Sequence, residues 1–129
     1  MDTNGNTKEL LIKDLSSRLP YGVKIELTWW GMGEGAYTNT TLEPDHIEQL
    51  LKDEDGDIEI KPYLFPLSSM TEEQRQELES LMEVTIVSIW GEILSPTPEY
   101  YDWLNKNHFD YRNLIDKNLA INATGLNIY

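Results

Sequence analysis

The spacing of the apolar residues changes at Pro20, and this change limits the folds that the chain can adopt. In residues 7–19, leucine recurs at every fourth position from Leu11, which is the spacing of one helix face, and Thr7 can cap the start of that helix. In residues 21–29, apolar and polar residues alternate, which is typical of a strand with one buried face. Because proline cannot continue a helix, we predict that the helix ends at Pro20 and that a strand follows.

The later segments add strands at irregular intervals. Residues 36–43 are rich in threonine and predict an edge strand. Residues 58–67 predict another strand, which Pro62 and Pro66 place at an edge or a bend because proline cannot donate to a ladder. Residues 84–90 are apolar on both faces and predict a central strand.

A central helix is predicted over residues 68–83. Two capping boxes fit its start, either Ser69 with Glu72 or Thr71 with Gln74. In both cases a hydroxyl accepts from a free backbone amide of the first turn. The sequence does not choose between them.

Short helices are predicted near the end of the chain. Thr97 and Pro98 can start the first, and Asp110 can cap the second. Residues 44–57 are ambiguous, because they fit a helix or a long loop with one helical turn.

This order of elements predicts an α+β fold: a small, mostly antiparallel sheet with an N-terminal helix, a central helix and short C-terminal helices packed on it. The 129 residues suit a single domain over 1–129, in which we expect 1–6 to be flexible. Residues 100–129 contain enough aromatic and charged side chains to suggest an active site. Helix faces, caps and a connector explain all of them, so we interpret 100–129 as a docking segment.

Acidic side chains are concentrated in the middle of the chain. The net charge is −13, and residues 26–99 carry seventeen acidic and three basic side chains. Such a region repels nucleic-acid backbones and attracts a basic partner. Alternatively, the charge only keeps the protein in solution. The acidic candidates for partner binding are Asp53, Glu54, Asp55 and Asp57, whose spacing does not fit a calcium loop.

The sequence shows no recognisable catalytic or metal-binding motif. It contains no cysteine, and its two histidines, His46 and His108, are not at ligand spacing. It has no nucleophile elbow and no phosphate-binding loop. We therefore expect no metal, no cofactor and no enzymatic activity. Without a secretory signal or an apolar span, we also expect a cytoplasmic protein that does not enter a membrane.

The four tryptophans divide into two groups. Trp90 and Trp103 have apolar neighbours and are predicted to be a core ring and an anchor ring. Trp29 and Trp30 are adjacent in a predicted strand, where neighbouring side chains face opposite ways. We therefore expect one of this pair to be exposed and to contact a partner.

Three blocks of the chain resemble a known family. Residues 13–27, 60–78 and 102–129, about half of the chain, resemble small acidic proteins encoded by gut Bacteroidales bacteria, their prophages and their phages. The family is functionally uncharacterised, so the resemblance implies a phage or mobile-element setting and no activity. Residues 28–57 lie outside it.

These observations predict a non-enzymatic protein that binds a macromolecule through an acidic surface in 26–99. The expected partner is a protein, either basic or itself nucleic-acid-binding, and direct nucleic-acid binding is not expected. Two alternatives stay open: a structural or assembly factor that forms a homo-oligomer, and an enzyme with an unrecognised site. The sequence leaves the oligomeric state open.

Overall fold

The computed structural model describes residues 4–30, 33, 35–54, 56–86 and 91–129. Within them the chain forms an α+β fold, as predicted. Its elements are α1 (Asn4–Arg18), β1 (Lys24–Trp29), β2 (Gly35–Thr41), α2 (Pro44–Lys52), β3 (Ile58–Pro66), α3 (Glu72–Glu79), β4 (Met82–Ile86), β5 (Glu92–Pro96), α4 (Pro98–Lys106), β6 (Phe109–Asp110) and β7 (Ile121–Asn122).

The first helix begins earlier than predicted. α1 begins at Asn4, so Thr7 lies inside it and does not cap it. Residues 4–6, which were expected to be flexible, belong to this helix, and 1–3 lie outside the described residues. The apolar pattern misses this first turn because the turn is polar. α1 ends at Arg18, and a 3₁₀ turn containing Pro20 leads into β1.

The main sheet has the strand order β2-β1-β3-β6, and β7 also pairs with β3. β1 pairs with β2 and β3 in antiparallel fashion, whereas β6 and β7 pair with β3 in parallel. β2 lies at the edge, as its composition predicts. The sheet is therefore antiparallel where β1 pairs with β2 and β3, and parallel where the C-terminal strands β6 and β7 join β3.

The prediction that the prolines place β3 at an edge or a bend is confirmed in part: over Ile58–Pro62 the ladder partner among the described residues is β1 alone, whereas Tyr63–Pro66 pair with β7 and β6. The amide of Trp30 donates to the carbonyl of Asp57 at 2.8 Å, and bonding alternates along an antiparallel ladder. Pro62, which lies opposite Ile25, is therefore at a non-hydrogen-bonded position. The parallel pairing with β7 begins one residue later, at Tyr63. The ladder thus tolerates a residue without an N–H group.

The prediction of a central strand over 84–90 is also wrong for the part that the structure describes. β4 pairs with β5 in a separate two-stranded sheet. The sequence analysis did not identify β5. Residues 87–90, including Trp90, lie outside the described residues. An apolar run in a sequence predicts a buried strand. It does not predict which strand pairs with it, because that depends on residues elsewhere in the chain.

Among the described residues, two hydrophobic clusters form the core. The main cluster joins α1, α2 and one face of the sheet, with Leu15, Ile25 and Leu64 fully buried. The second cluster contains Leu78, Leu104 and Phe109. Residues 100–129 contribute to both clusters.

The helix predictions have mixed outcomes. Residues 44–52 of the ambiguous stretch form α2. Thr71 and Gln74 form the capping box of α3, whereas Ser69 donates to the carbonyl of Pro66 at 2.7 Å and lies outside the helix. Thr97 caps α4, as predicted.

The last predicted helix is absent from the described C-terminal residues, which form turns after β6. Asp110 still acts as a cap, because its carboxylate accepts from the amides of Leu114 and Ile115, both at 2.9 Å. Asn113 and Asn118 have left-handed backbones, with φ of 63° and 60°. These two residues break the helical path that the apolar spacing suggested.

A buried ionic group joins α1 to the C-terminal segment. The carboxylate of Asp14 accepts from Arg18 Nε at 2.8 Å and from Arg112 at 2.7 Å. Arg18 also donates to the carbonyl of Phe109 at 2.6 Å. Asp14 and Arg18 are completely buried, so this group fixes how the two ends of the chain pack.

Candidate functional site

The two adjacent tryptophans at the end of β1 have different environments. Trp29 packs against the main hydrophobic cluster, and a Cβ atom at position 35 would overlap its indole ring, so only glycine fits there. The Trp30 residue is 40% exposed. Its amide donates to the carbonyl of Asp57. The pairing of β1 with β3 thus brings an exposed tryptophan beside the acidic loop.

The acidic loop 53–57 is held closed by one of its own carboxylates. Asp53 accepts from the amide of Asp57 at 3.0 Å and from the amide of Ile58 at 3.2 Å. Lys8 of α1 donates to the backbone carbonyl of Asp53 at 2.7 Å. Asp53, predicted as a partner contact, therefore has an internal structural role.

The other acidic candidates differ from Asp53. Glu54 and Asp57 are exposed to solvent. Asp55 lies outside the described residues. Among the described members of the acidic run, Glu54 and Asp57 are thus the carboxylates that face outward.

A cleft between α2 and the sheet adjoins Trp29. Its volume is about 410 Å³, and it is lined by Leu27, Trp29, Tyr37, His46, Gln49 and Ile58. The Trp29 and Tyr37 rings have centroids 5.0 Å apart and are tilted by 41°. The Tyr37 residue is 59% exposed, so the cleft has an aromatic wall that solvent can reach.

His46 takes part in the start of α2. Its Nδ1 atom accepts from the amide of Glu43 at 2.9 Å, which is the reciprocal bond of a capping box. His46 is thus oriented by the helix that carries it, and the site needs no catalytic role to explain it.

These residues define what we call the aromatic–acidic surface, at the end of the sheet beside α2. Its members are Trp29, Tyr37, His46 and Gln49, which line the cleft, and Trp30, Glu54 and Asp57 next to them. Trp30 faces away from the cleft, because neighbouring side chains of a strand point to opposite faces. The sequence analysis identified the tryptophans and the acids but missed Tyr37, His46 and Gln49. Pairing β1 with β2 as a hairpin would have predicted that Tyr37 lies near Trp29. Nothing in the sequence predicted where α2 packs, so His46 and Gln49 could not be placed.

Aromatic faces and carboxylates both attract cations. The negative face of an indole or phenol ring binds ammonium and guanidinium groups, and a carboxylate adds a charge-assisted hydrogen bond. The surface is chemically suited to hold lysine or arginine side chains.

A second group of unusual residues lies at His108. The backbone of His108 is left-handed, with φ of 63°, and its ring stacks on Tyr129 with centroids 3.7 Å apart and 13° between the planes. Burial, followed by the positive charge of Arg18, lowers the pKa of His108 to about 4. Burial likewise raises the pKa of Tyr129 to about 12. Neither group is poised to exchange a proton near neutral pH.

Tyr129 has a structural role in this group. Its hydroxyl accepts from the amide of Lys24 at 2.8 Å and donates to the carbonyl of Tyr63 at 2.7 Å. The hydroxyl therefore connects the backbones of β1 and β3 at Lys24 and Tyr63, where their ladder ends. The adjoining cleft of about 450 Å³ is lined by Ser69 and Gln74 among others, and these two side chains bond the backbone of their own segment. This geometry favours packing over catalysis.

The remaining predicted structural residue, Trp103, lies in the second cluster. Its ring is parallel to that of Phe109, with 3° between the planes and centroids 5.7 Å apart. The contact joins α4 to β6, the parallel partner of β3. Trp103 thus helps to hold the C-terminal segment on the sheet.

The acidic residues of the middle region are not confined to one surface. Glu73 and Glu77 are exposed on α3, which packs against α4. They lie on a different element from the acidic loop and have no exposed tryptophan beside them among the described residues.

Two further observations concern the described residues as a whole. They contain no group of three or more His, Asp or Glu side chains close enough to share a metal ion. None of their helices is both long and apolar enough to cross a membrane.

Comparisons with known proteins add no homologue. Searches of protein-family models, of curated proteins and of solved structures find no match to this chain. The aromatic–acidic surface is therefore interpreted from its own geometry.

Proposed function

We propose that this protein is a non-enzymatic binding protein that holds a basic segment of another protein on the aromatic–acidic surface. One observation carries the proposal: the 2.8 Å bond from the Trp30 amide to the Asp57 carbonyl. It places the backbone of an exposed tryptophan beside the loop that carries two outward carboxylates, those of Asp57 and Glu54. An exposed indole or an exposed carboxylate is ordinary on a protein surface. An indole and carboxylates close to one another can bind a cation together.

The rings and the acids contribute differently to such binding. A desolvated cation on an indole face gains about 2 kcal/mol, more than at an exposed site. Exposed carboxylates add less affinity but raise the rate of encounter through long-range attraction. The net charge of −13 acts in the same direction. We therefore expect fast, salt-sensitive association anchored by Trp30.

The setting of this function is part of the proposal. The resemblance to proteins of gut Bacteroidales and their phages supports a phage or mobile-element protein acting in the host cytoplasm. The partner is then a basic host or phage protein, including one that itself binds nucleic acid. Homo-oligomerisation and catalysis are the competing functions.

The test is binding of a fluorescent Arg- and Lys-rich peptide, measured by anisotropy at low and at physiological salt. Trp30→Ala should weaken binding about tenfold, since truncating an aromatic anchor commonly costs more than 1 kcal/mol and each 1.4 kcal/mol is tenfold. Glu54→Gln with Asp57→Asn should mainly slow association. Asp53 is left unchanged because its carboxylate holds the loop.

The matched control neutralises two acids elsewhere, Glu73→Gln with Glu77→Gln on α3, and removes the same charge. If both double variants weaken binding equally, and Trp30→Ala has no effect, the peptide responds only to net charge. That result would refute the proposed surface and favour the view that the acids merely keep the protein in solution.

A further inference from the structure

The outer edge of β2 faces away from the rest of the sheet. The amide of Leu42 donates to the carbonyl of Val23 at 2.9 Å, which fixes the phase of bonding between β1 and β2. The backbone groups of Tyr37 and Thr40 then point towards β1, whereas those of Ala36, Thr38 and Thr41 point outward. In the described part of the chain, no strand pairs with this edge.

This edge lacks two of the features that usually block strand addition, and a third, a β-bulge, interrupts its far half. Exposed edges are commonly protected by charged side chains or proline, and the segment Gly35–Thr41 contains neither. It does contain an irregularity, because the register shifts between Ile25 and Leu27 and Asn39 has φ of 54°. The bulge leaves Thr38 and Asn39 without a ladder partner in β1, and Gly35–Tyr37 pair regularly.

A cleft for side chains lies next to this edge. Tyr37 lies opposite Leu27 in the ladder, so both point to the face where the 410 Å³ cleft opens. A strand added beside β2 would direct every second side chain towards that face. α2, which lines the cleft through His46 and Gln49, also carries the exposed acids Asp45 and Glu48. Glu48 is paired with Lys52 at 2.6 Å, so Asp45 is the one of the two that favours a basic neighbour.

The charge of the chain argues against a second copy as the occupant. Two copies with a net charge of −13 each repel one another. An extended basic peptide has the opposite charge and can use the same backbone groups. In known cases of strand addition, main-chain bonds give affinity and pockets for alternate side chains give specificity.

We propose that the basic partner binds as an added β-strand along the outer edge of β2, with alternate side chains over the cleft of Trp29 and Tyr37. The inference rests on the proposed function and specifies its binding mode. The partner segment is extended, carries Arg or Lys, and presents one unbroken edge of backbone amides to Ala36 and Thr38.

The test compares three peptides of one sequence, in which Lys or Arg alternates with Val. The first is unmodified, and the other two are N-methylated at alternate amides, one in the odd and one in the even positions. N-methylation removes amide donors without changing any charge. We expect one methylated peptide to bind at least about tenfold more weakly, because several main-chain hydrogen bonds are lost together. The other should bind like its parent.

A variant of the protein examines the same contact from the other side. Ala36→Pro removes an outward amide that makes no bond to β1, so folding should survive, which thermal unfolding checks. This variant should bind the unmodified peptide several-fold more weakly than the wild type does. The control is Glu73→Gln on α3, which should leave binding nearly unchanged.

The outcomes separate this inference from the proposed function. If both methylated peptides bind like the parent while Trp30→Ala weakens all three, the surface binds basic segments but not by strand addition, and the inference is wrong. Equal weakening by both methylations also refutes it. If no peptide binds at physiological salt, the proposed function fails together with the inference. A dimer in analytical ultracentrifugation with protected Ala36 and Thr38 amides would identify β2 as a self-pairing edge and overturn it.

Discussion

His108 has surroundings that favour its neutral form. Burial and, to a smaller extent, the charge of Arg18 lower its pKa from 6.5 to about 4. Its Nδ1 atom is buried and has no hydrogen-bond partner among the described residues. The ring is stacked on Tyr129, whose hydroxyl bridges β1 and β3. Protonation of this one residue therefore acts on the contact that closes the C-terminal segment.

We predict that His108 makes stability fall as the pH falls. The unfolded chain binds the His108 proton near the ordinary pKa, and the folded chain binds it only near pH 4. The contribution is therefore complete above about pH 6.5 and is lost as the pH falls from there towards about 4. His108→Asn, which tolerates the left-handed backbone, should lack this contribution.

The measurement is urea unfolding of both proteins at about pH 7 and about pH 4.5, where only the difference between them is informative because many carboxylates also titrate. The stability advantage of the wild type should shrink at the lower pH. If the free energies of unfolding of the two proteins change equally with pH, the folded protein accommodates the charged imidazole.

At the scale of elements, the loop between α2 and β3 shows that acidic residues of one run have different roles. Asp53 uses both carboxylate oxygens to accept backbone amides of the same loop. Asp57 presents its amide to Asp53 and its carbonyl to Trp30, while its side chain is exposed. The loop therefore connects α2 to the sheet through its backbone, and its outward side chains are available for binding.

We predict that Asp53→Asn lowers the free energy of unfolding by about 1–2 kcal/mol, because an amide offers one acceptor oxygen where two are needed. Asp57→Asn should change it by less than about 0.5 kcal/mol, as is usual for an exposed side chain. The two variants remove the same charge, and urea unfolding distinguishes them. Equal values would mean that the Asp53 bonds add nothing to folding.

At the scale of the whole molecule, the two ends of the chain meet at a buried group with an excess of positive charge. Asp14 is shared by two arginines, Arg18 from its own helix and Arg112 from the C-terminal segment. Tyr111 lies under both guanidinium groups, at 5.3 Å and 4.6 Å from its ring centre. The remaining Arg18 nitrogen, Nη1, has no partner among the described residues, so Asp14 is the carboxylate that balances this group.

We predict that Asp14→Asn lowers the free energy of unfolding by about 3–5 kcal/mol, because removing one partner leaves the opposite charges buried and uncompensated. Asp116→Asn, at an exposed position in the same C-terminal region, serves as the control and should be nearly neutral. Thermal and urea unfolding provide the comparison. A variant as stable as the wild type would show that the arginines find other acceptors or water.

Local signals in the sequence determined most of the elements. The alternation in β1, the capping box at Thr71 and the start of α4 at Thr97 each depend on residues within about four positions of one another. Such signals can be found without knowing the fold. The structure confirms β1 and the start of α4, and of the two capping boxes that the sequence allowed it contains the one at Thr71. The α+β class follows from their order.

Tertiary structure decided which elements pair and which side chains meet. The sequence indicated that β3 contains prolines but not that Pro62 falls at a non-bonded position beside β1. It identified the Trp29–Trp30 pair and the acidic run separately. Only the pairing of β1 with β3 brings Trp30 to Asp57 and assigns Asp53 to the loop interior. The physical reason is that periodicity reports which face of an element is buried, whereas pairing is set by distant residues that complete its hydrogen bonds and cover that face.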